Sequence, residues 1–217
     1  MINLLTASSM NAISRSGIFI KFRKVSFTTL WRFFTPGFLT RKRPKMPTNL
    51  TSSNAVSFTS SGEMMNRYLV ALQIQTSQPL AVTEAAVKRD AERILKTMGW
   101  TRAALSLVLT DDEGIRPVHK EFLNDDSPTD VISFSQLEGE GPQPLWEGLV
   151  FLGDLVISAE TASREAARRG HSLRYELCFY ICHGLLHFEG FDDRTPALRR
   201  RMFRIQEAVL AAAGIRK

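Results

Sequence analysis

His183 and His187 stand four residues apart, and Asp193 follows shortly after. On an α-helix, residues four apart share one face, so both imidazoles can reach a single ion. Gly190 can end such a helix in a left-handed turn and send the chain back over that face, where Asp193 returns a carboxylate. Two His and one Asp give three ligands and leave a fourth position for water. That is the open coordination of a catalytic zinc site rather than the closed cage of a structural one. The pattern predicts one zinc ion per chain. Asp192 competes with Asp193 as third ligand, because turns also use Asp for local capping.

The residues before the pair are apolar nearly all round (Leu173, Leu177, Cys178, Phe179, Tyr180, Ile181), which predicts a buried helix. Two imidazoles on a buried helix need partners, and a metal supplies both at once. Cys178 and Cys182 are read as small buried hydrophobes, with Cys182 as a remote extra ligand. Two cysteines exclude a disulfide framework and fit a reducing compartment. The residue after His183 restricts the chemistry. Zinc peptidases place a Glu there as general base, and this chain has Gly184, which takes no proton. Glu189 and Glu176 lie at other spacings. Peptide hydrolysis is therefore disfavoured.

The elements that must position these residues begin at Tyr68. Residues 68–75 read as a strand. Thr83 caps a helix with Val87, Ala91, Ile94, Leu95 and Met98 at helical spacing and Gly99 at its C-cap. Residues 104–110 are a second strand, ending in the acidic turn Asp111 to Gly114, and 115–123 a short helix. Residues 130–135 are a third strand, 136–148 a Gly/Pro-rich acidic loop, and 149–158 a buried strand. Helices over 159–169, 172–189 and 196–213 close the chain, the last starting with Thr195 as N-cap and Pro196 in its first turn. One α+β domain of about 150 residues accounts for this order.

The chain has 217 residues and a net charge of +6, but the charge is unevenly spread. Residues 1–62 hold nine of the 28 Lys/Arg and no Asp or Glu, so the remainder carries 19 basic and all 22 acidic residues. Residues 1–63 are read as a basic, disordered extension, either an organellar transit segment, a mis-called start upstream of Met64 or Met65, or a basic RNA-binding arm. Residues 64–217 are the ordered domain. No run approaches the ~18 apolar residues of a membrane span.

Three segments carry a family resemblance. HGLLHFEGFDD (183–193) resembles the HGxLHLxGYDH signature of the YbeY family, metal-dependent endoribonucleases of ribosomal RNA maturation. PTDVISF (128–134) and GDLVISAETASREA (153–166) resemble its other hallmark segments, in the same order and at similar separation. The likeness spans about residues 66–213. It implies a compact α+β fold with a mixed sheet, a zinc ion, and a single-strand-specific endoribonuclease that matures small-subunit ribosomal RNA. Ribosomal RNA and pre-ribosomal particles would be its partners, in the cytoplasm, or in an organelle if the extension is a transit peptide.

Two departures stand out. Asp193 falls where the family has a third His, and carboxylate can replace imidazole on zinc. Leu123 falls where the family usually carries an Arg suited to a substrate phosphate. That role then passes to Lys120 or Arg116, whose other reading is a solvated helix face, or the ribonuclease activity is weakened. Beside the ribonuclease stand a ribosome-assembly factor that binds without cutting and a zincin-like metallopeptidase.

Overall fold

The computed structural model describes residues 67–137 and 142–217, together with the backbone of two short strands, β1 (Ser9–Ile13) and β2 (Phe19–Arg23), which pair antiparallel. No strand was expected in that segment. The disorder expected over the rest of 1–63 lies outside the described residues.

From Arg67 onward the fold is a small mixed sheet with five helices among the described residues. Strands β3 (Arg67–Gln75), β4 (Arg102–Thr110) and β7 (Leu149–Ser158) run parallel, in the order β3-β4-β7. β5 (Val131–Ser135) closes the far edge antiparallel to β7, and β6 (Leu145–Trp146) pairs antiparallel with the start of β7. The central strands β4 and β7 are almost wholly buried, as parallel strands covered on both faces must be, which is why they read as apolar runs rather than as alternations.

Two apolar clusters lie on the two faces. The larger joins α1 (Glu84–Thr97), α4 (Leu173–Phe188) and α5 (Pro196–Ala212) to the sheet. The smaller lies under α2 (Asp112–Leu123) and includes Phe122, Leu123, Phe134 and Val156. α3 (Ala159–Arg169) leads from β7 to α4 and ends at Gly170 in the left-handed region. Every one of these helices starts on a side-chain cap: Thr83, Asp111, Ser158, Ser172 and Thr195 each accept from a backbone N–H three residues on.

The structure corrects three local expectations. α2 begins at Asp112 and not at Ile115, because Asp111 accepts from Gly114 N–H at 2.9 Å and makes the acidic turn a capped first turn. Asp112 and Glu113 then sit at the positive end of the helix dipole, where carboxylates are favoured. α1 is capped by Met98, and Gly99 takes the next, left-handed position at φ +92°. Within the expected 136–148 loop, Leu145 and Trp146 form β6.

Two glycines let α4 lie directly on the sheet. A Cβ on Gly184 would collide with the methyls of Leu155, and one on Gly153 would meet the Phe134 carbonyl and the Phe188 ring. The other end of α4 is fixed by Arg174, whose guanidinium holds both oxygens of buried Asp90 in α1 at 2.6 and 2.8 Å. Cys178 and Cys182 are free and buried, and burial pushes the Cys182 thiol up to about 12, so it stays protonated and inert.

Candidate metal centre

Helix α4 is buried along its whole length from Tyr175 to Phe188, and the two imidazoles lie inside it with only 5% and 7% of each histidine exposed. Their Nε2 atoms face each other at 3.0 Å. Gly190, at φ +86°, turns the chain back after the helix, and Asp193 then returns to the same place, fully buried. Its Oδ2 lies 4.0 Å from His183 Nε2 and its Oδ1 4.0 Å from His187 Nε2. Among the described residues, His183, His187 and Asp193 form a set whose donor atoms all approach within 4.8 Å of one another.

The outer hydrogen bonds decide which ring nitrogens carry protons. His187 Nδ1 lies 2.9 Å from the carbonyl of Phe191, which only accepts, so Nδ1 is the protonated nitrogen. Gln206 of α5 donates its amide Nε2 to the Phe179 carbonyl at 3.2 Å, which turns its Oε1 toward His183 Nδ1 at 3.3 Å. His183 Nδ1 is therefore also the donor. Burial and the neighbouring His183 lower the pKa of His187 to about 4, so this ring is neutral near pH 7.

Held this way, the two rings turn their Nε2 atoms toward each other, and the neutral His187 ring offers its Nε2 lone pair there. Both oxygens of Asp193 face the same point, buried and without a hydrogen-bond partner among the described residues. Three buried lone-pair groups converging on one point are costly unless a cation sits among them. The donor set suits zinc. A tetrahedral ion with ligand distances of ~2.0–2.2 Å sets its donor atoms about 3.3–3.6 Å apart, and the spacings here, 3.0 Å between the imidazoles and 4.0 Å to the carboxylate, bracket that value. Two imidazoles held by outer carbonyl acceptors are also the usual supporting arrangement around a catalytic zinc.

The other residues singled out from the sequence lie elsewhere. Asp192 turns outward and accepts from the Arg194 backbone N–H at 3.0 Å. Glu189 accepts from Trp100 Nε1 at 3.0 Å, and Glu176 is buried between Arg169 and His171. Arg116 and Lys120 both grip Asp126, at 2.8 and 2.7 Å, on the exposed side of α2. Leu123 is buried in the cluster under α2. Position 184 faces Leu155 and not the ligands, so a glutamate there has no room.

One residue that the sequence reading missed belongs to the centre. Arg199, in the first turn of α5, places its Nε 4.0 Å from Asp193 Oδ2. The available signal was compositional: residues 194–206 contain five arginines and no acid.

The family model of endoribonuclease YbeY matches residues 72–214. An endoribonuclease YbeY of Symbiobacterium thermophilum is 43% identical over 136 residues, spanning 61% of this chain and 87% of the relative. One of Geobacter metallireducens is 42% identical over 132 residues, spanning 56% and 85%. A solution structure of a Thermotoga maritima protein aligns over 66% of this chain and 90% of its own, at 16% identity and a TM-score of 0.42.

Proposed function

The chain belongs to the YbeY endoribonuclease family, and we propose that residues 64–217 form a zinc-dependent, single-strand-specific endoribonuclease that matures small-subunit ribosomal RNA. Its substrates are ribosomal RNA and pre-ribosomal particles, and its place of action is the cytoplasm. The observation that carries the reading is the convergence of His183, His187 and Asp193 with no protein donor between them.

Each protein group has a task there. Gln206 and the Phe191 carbonyl hold the two rings in the tautomer that leaves Nε2 bare. Asp193 turns two buried oxygens with no hydrogen-bond partner among the described residues toward the same point, where a bound cation would satisfy both. A bound zinc would polarise a phosphoryl oxygen and lower the pKa of water toward ~7, and three protein ligands leave room for that chemistry. No side chain stands where a peptidase keeps its general base. Nucleophile activation therefore falls to the metal centre or to the 2′-hydroxyl that RNA itself brings. The same observation speaks against the zincin-like peptidase, because Gly184 is sealed against Leu155.

The test is cleavage of structured ribosomal RNA by metal-loaded protein, run beside casein. RNA should be cut by the wild type and spared after chelation or in His183→Ala, and casein should stay intact throughout. A second reading, an assembly factor that binds without cutting, is favoured by buried Leu123 and by the Asp126 clamp on Arg116 and Lys120. It wins if the loaded protein captures pre-ribosomal particles and leaves their RNA whole.

A further inference from the structure

We propose that Arg199, continued by Arg200 and Arg204, is the phosphate-gripping track of this chain, leading the backbone of single-stranded RNA into the metal centre. The inference rests on the ribonuclease reading and names the residues that hold its substrate.

Arg199 lies on the stripe of α5 that also carries Met202, Gln206 and Leu210, all buried. Residues at this spacing share a face, so the stem of Arg199 is drawn inward with them, toward the histidine that Gln206 supports. Its Nε is buried and has no hydrogen-bond partner among the described residues. The nearest counter-charge is Asp193 at 4.0 Å, too far for a hydrogen bond. Yet its side chain is 38% exposed, so the guanidinium is anchored beside the metal ligands while part of it reaches solvent. A planar fork in that position matches two oxygens of a phosphate and lacks an equivalent partner in the protein.

The neighbouring cations extend the feature. Arg200 and Arg204 lie one turn apart on the adjoining flank, both exposed, and neither makes an ion pair among the described residues. Arg201 lies over the Phe191 ring at 5.9 Å, beside the carbonyl that orients His187. From Arg194 to Gln206 there is no acidic residue to cancel this charge, although the domain as a whole carries more acid than base. A local positive track on a net acidic domain is what backbone recognition requires. The cations of α2 offer no such track, because Asp126 neutralises them.

The experiment measures binding of a fluorescein-labelled single-stranded oligouridylate to zinc-loaded protein across a salt series. Arg199→Gln keeps the stem and removes the fork, and Arg200→Gln/Arg204→Gln removes the flank without touching any buried atom. Arg199→Gln should weaken binding about tenfold, as loss of a charge-assisted phosphate contact does, with zinc content unchanged. The three substitutions together should make the slope of log affinity against log salt shallower by about 2, given ~0.7 per single-strand phosphate contact. Affinity and slope that stay at the wild-type values in both variants would overturn the track and leave the ribonuclease reading standing. Zinc lost from Arg199→Gln would overturn it too, because Arg199 would then be a support for Asp193. Should Arg199→Gln fail to fold, the surface pair decides alone: wild-type binding in it sinks the proposal. If the wild type itself shows no salt-dependent binding, the ribonuclease reading falls first.

Discussion

On one side of β7, under α4 and α5, His183 and His187 make their outer hydrogen bonds and turn their inner nitrogens toward Asp193, whose oxygens have no hydrogen-bond partner among the described residues. On the other side, α2 carries Arg116, Lys120 and a nearby Asp126 that satisfy each other in solvent. Both regions hold ionisable residues at helical spacing, and both looked functional in the sequence. What separates them is what is left over. Exposed ion pairs are screened by solvent and already satisfied, so the α2 set needs nothing further. Buried lone pairs with no donor between them need a cation, and the α4 set advertises one.

The sharpest way to break this contrast is at the contact that builds the metal face. Gly184→Glu forces a side chain and a charge into Leu155, and the expected cost exceeds ~3 kcal/mol, enough to unfold a marginal domain. Thermal unfolding checks it. A folded Gly184→Glu protein near the wild-type midpoint would show that α4 does not rest on β7 as described.

A graded, pH-dependent effect belongs to the α2 face. Asp154 of β7 is buried beside Ser106, its Oδ2 unpartnered, and burial pushes its pKa up to about 7. A carboxyl whose folded pKa is raised is bound to its proton more tightly in the folded than in the unfolded chain. Its contribution is fully present below the unfolded value of 3.8 and is lost as pH rises to about 7. The loss amounts to roughly 4 kcal/mol at most. Asp154→Asn, which mimics the neutral acid, should flatten the fall in stability over that window. Urea unfolding at several pH values reads this directly, and an unchanged pH profile would mean that Asp154 ionises freely.

The smallest effect is expected where the sequence placed phosphate contacts. Arg116→Ala with Lys120→Ala should leave both stability and RNA affinity close to the wild-type values, because solvent screens these exposed pairs. Denaturant midpoints and the oligouridylate titration check both halves, and a large affinity loss would move the phosphate track from α5 back to α2.

Much of this was legible in the chain. Strands β4 and β7 announced themselves as apolar runs because both faces are covered, and the starts of α1 and α5 were marked by their caps Thr83 and Thr195. The ligand spacing was readable because helical periodicity and a glycine turn fix where His183, His187 and Asp193 can meet. What could not be read was which charges cancel. Asp126 is six residues from Lys120 and ten from Arg116, and only the fold of the loop brings it to both. Arg199 was hidden for the same reason: a run of arginines on a terminal helix looks like a solvated face until one is seen leaning on Asp193. Strand β6 escaped because two residues are too few to show a period.

Two histidines and an aspartate that together hold a cation define the centre. Elemental analysis of purified protein tests that directly, with Asp193→His as the companion that should keep the metal. Wild type should carry about one zinc per chain and His187→Ala should lose it, whereas equal metal content in wild type and His187→Ala would contradict the centre as described.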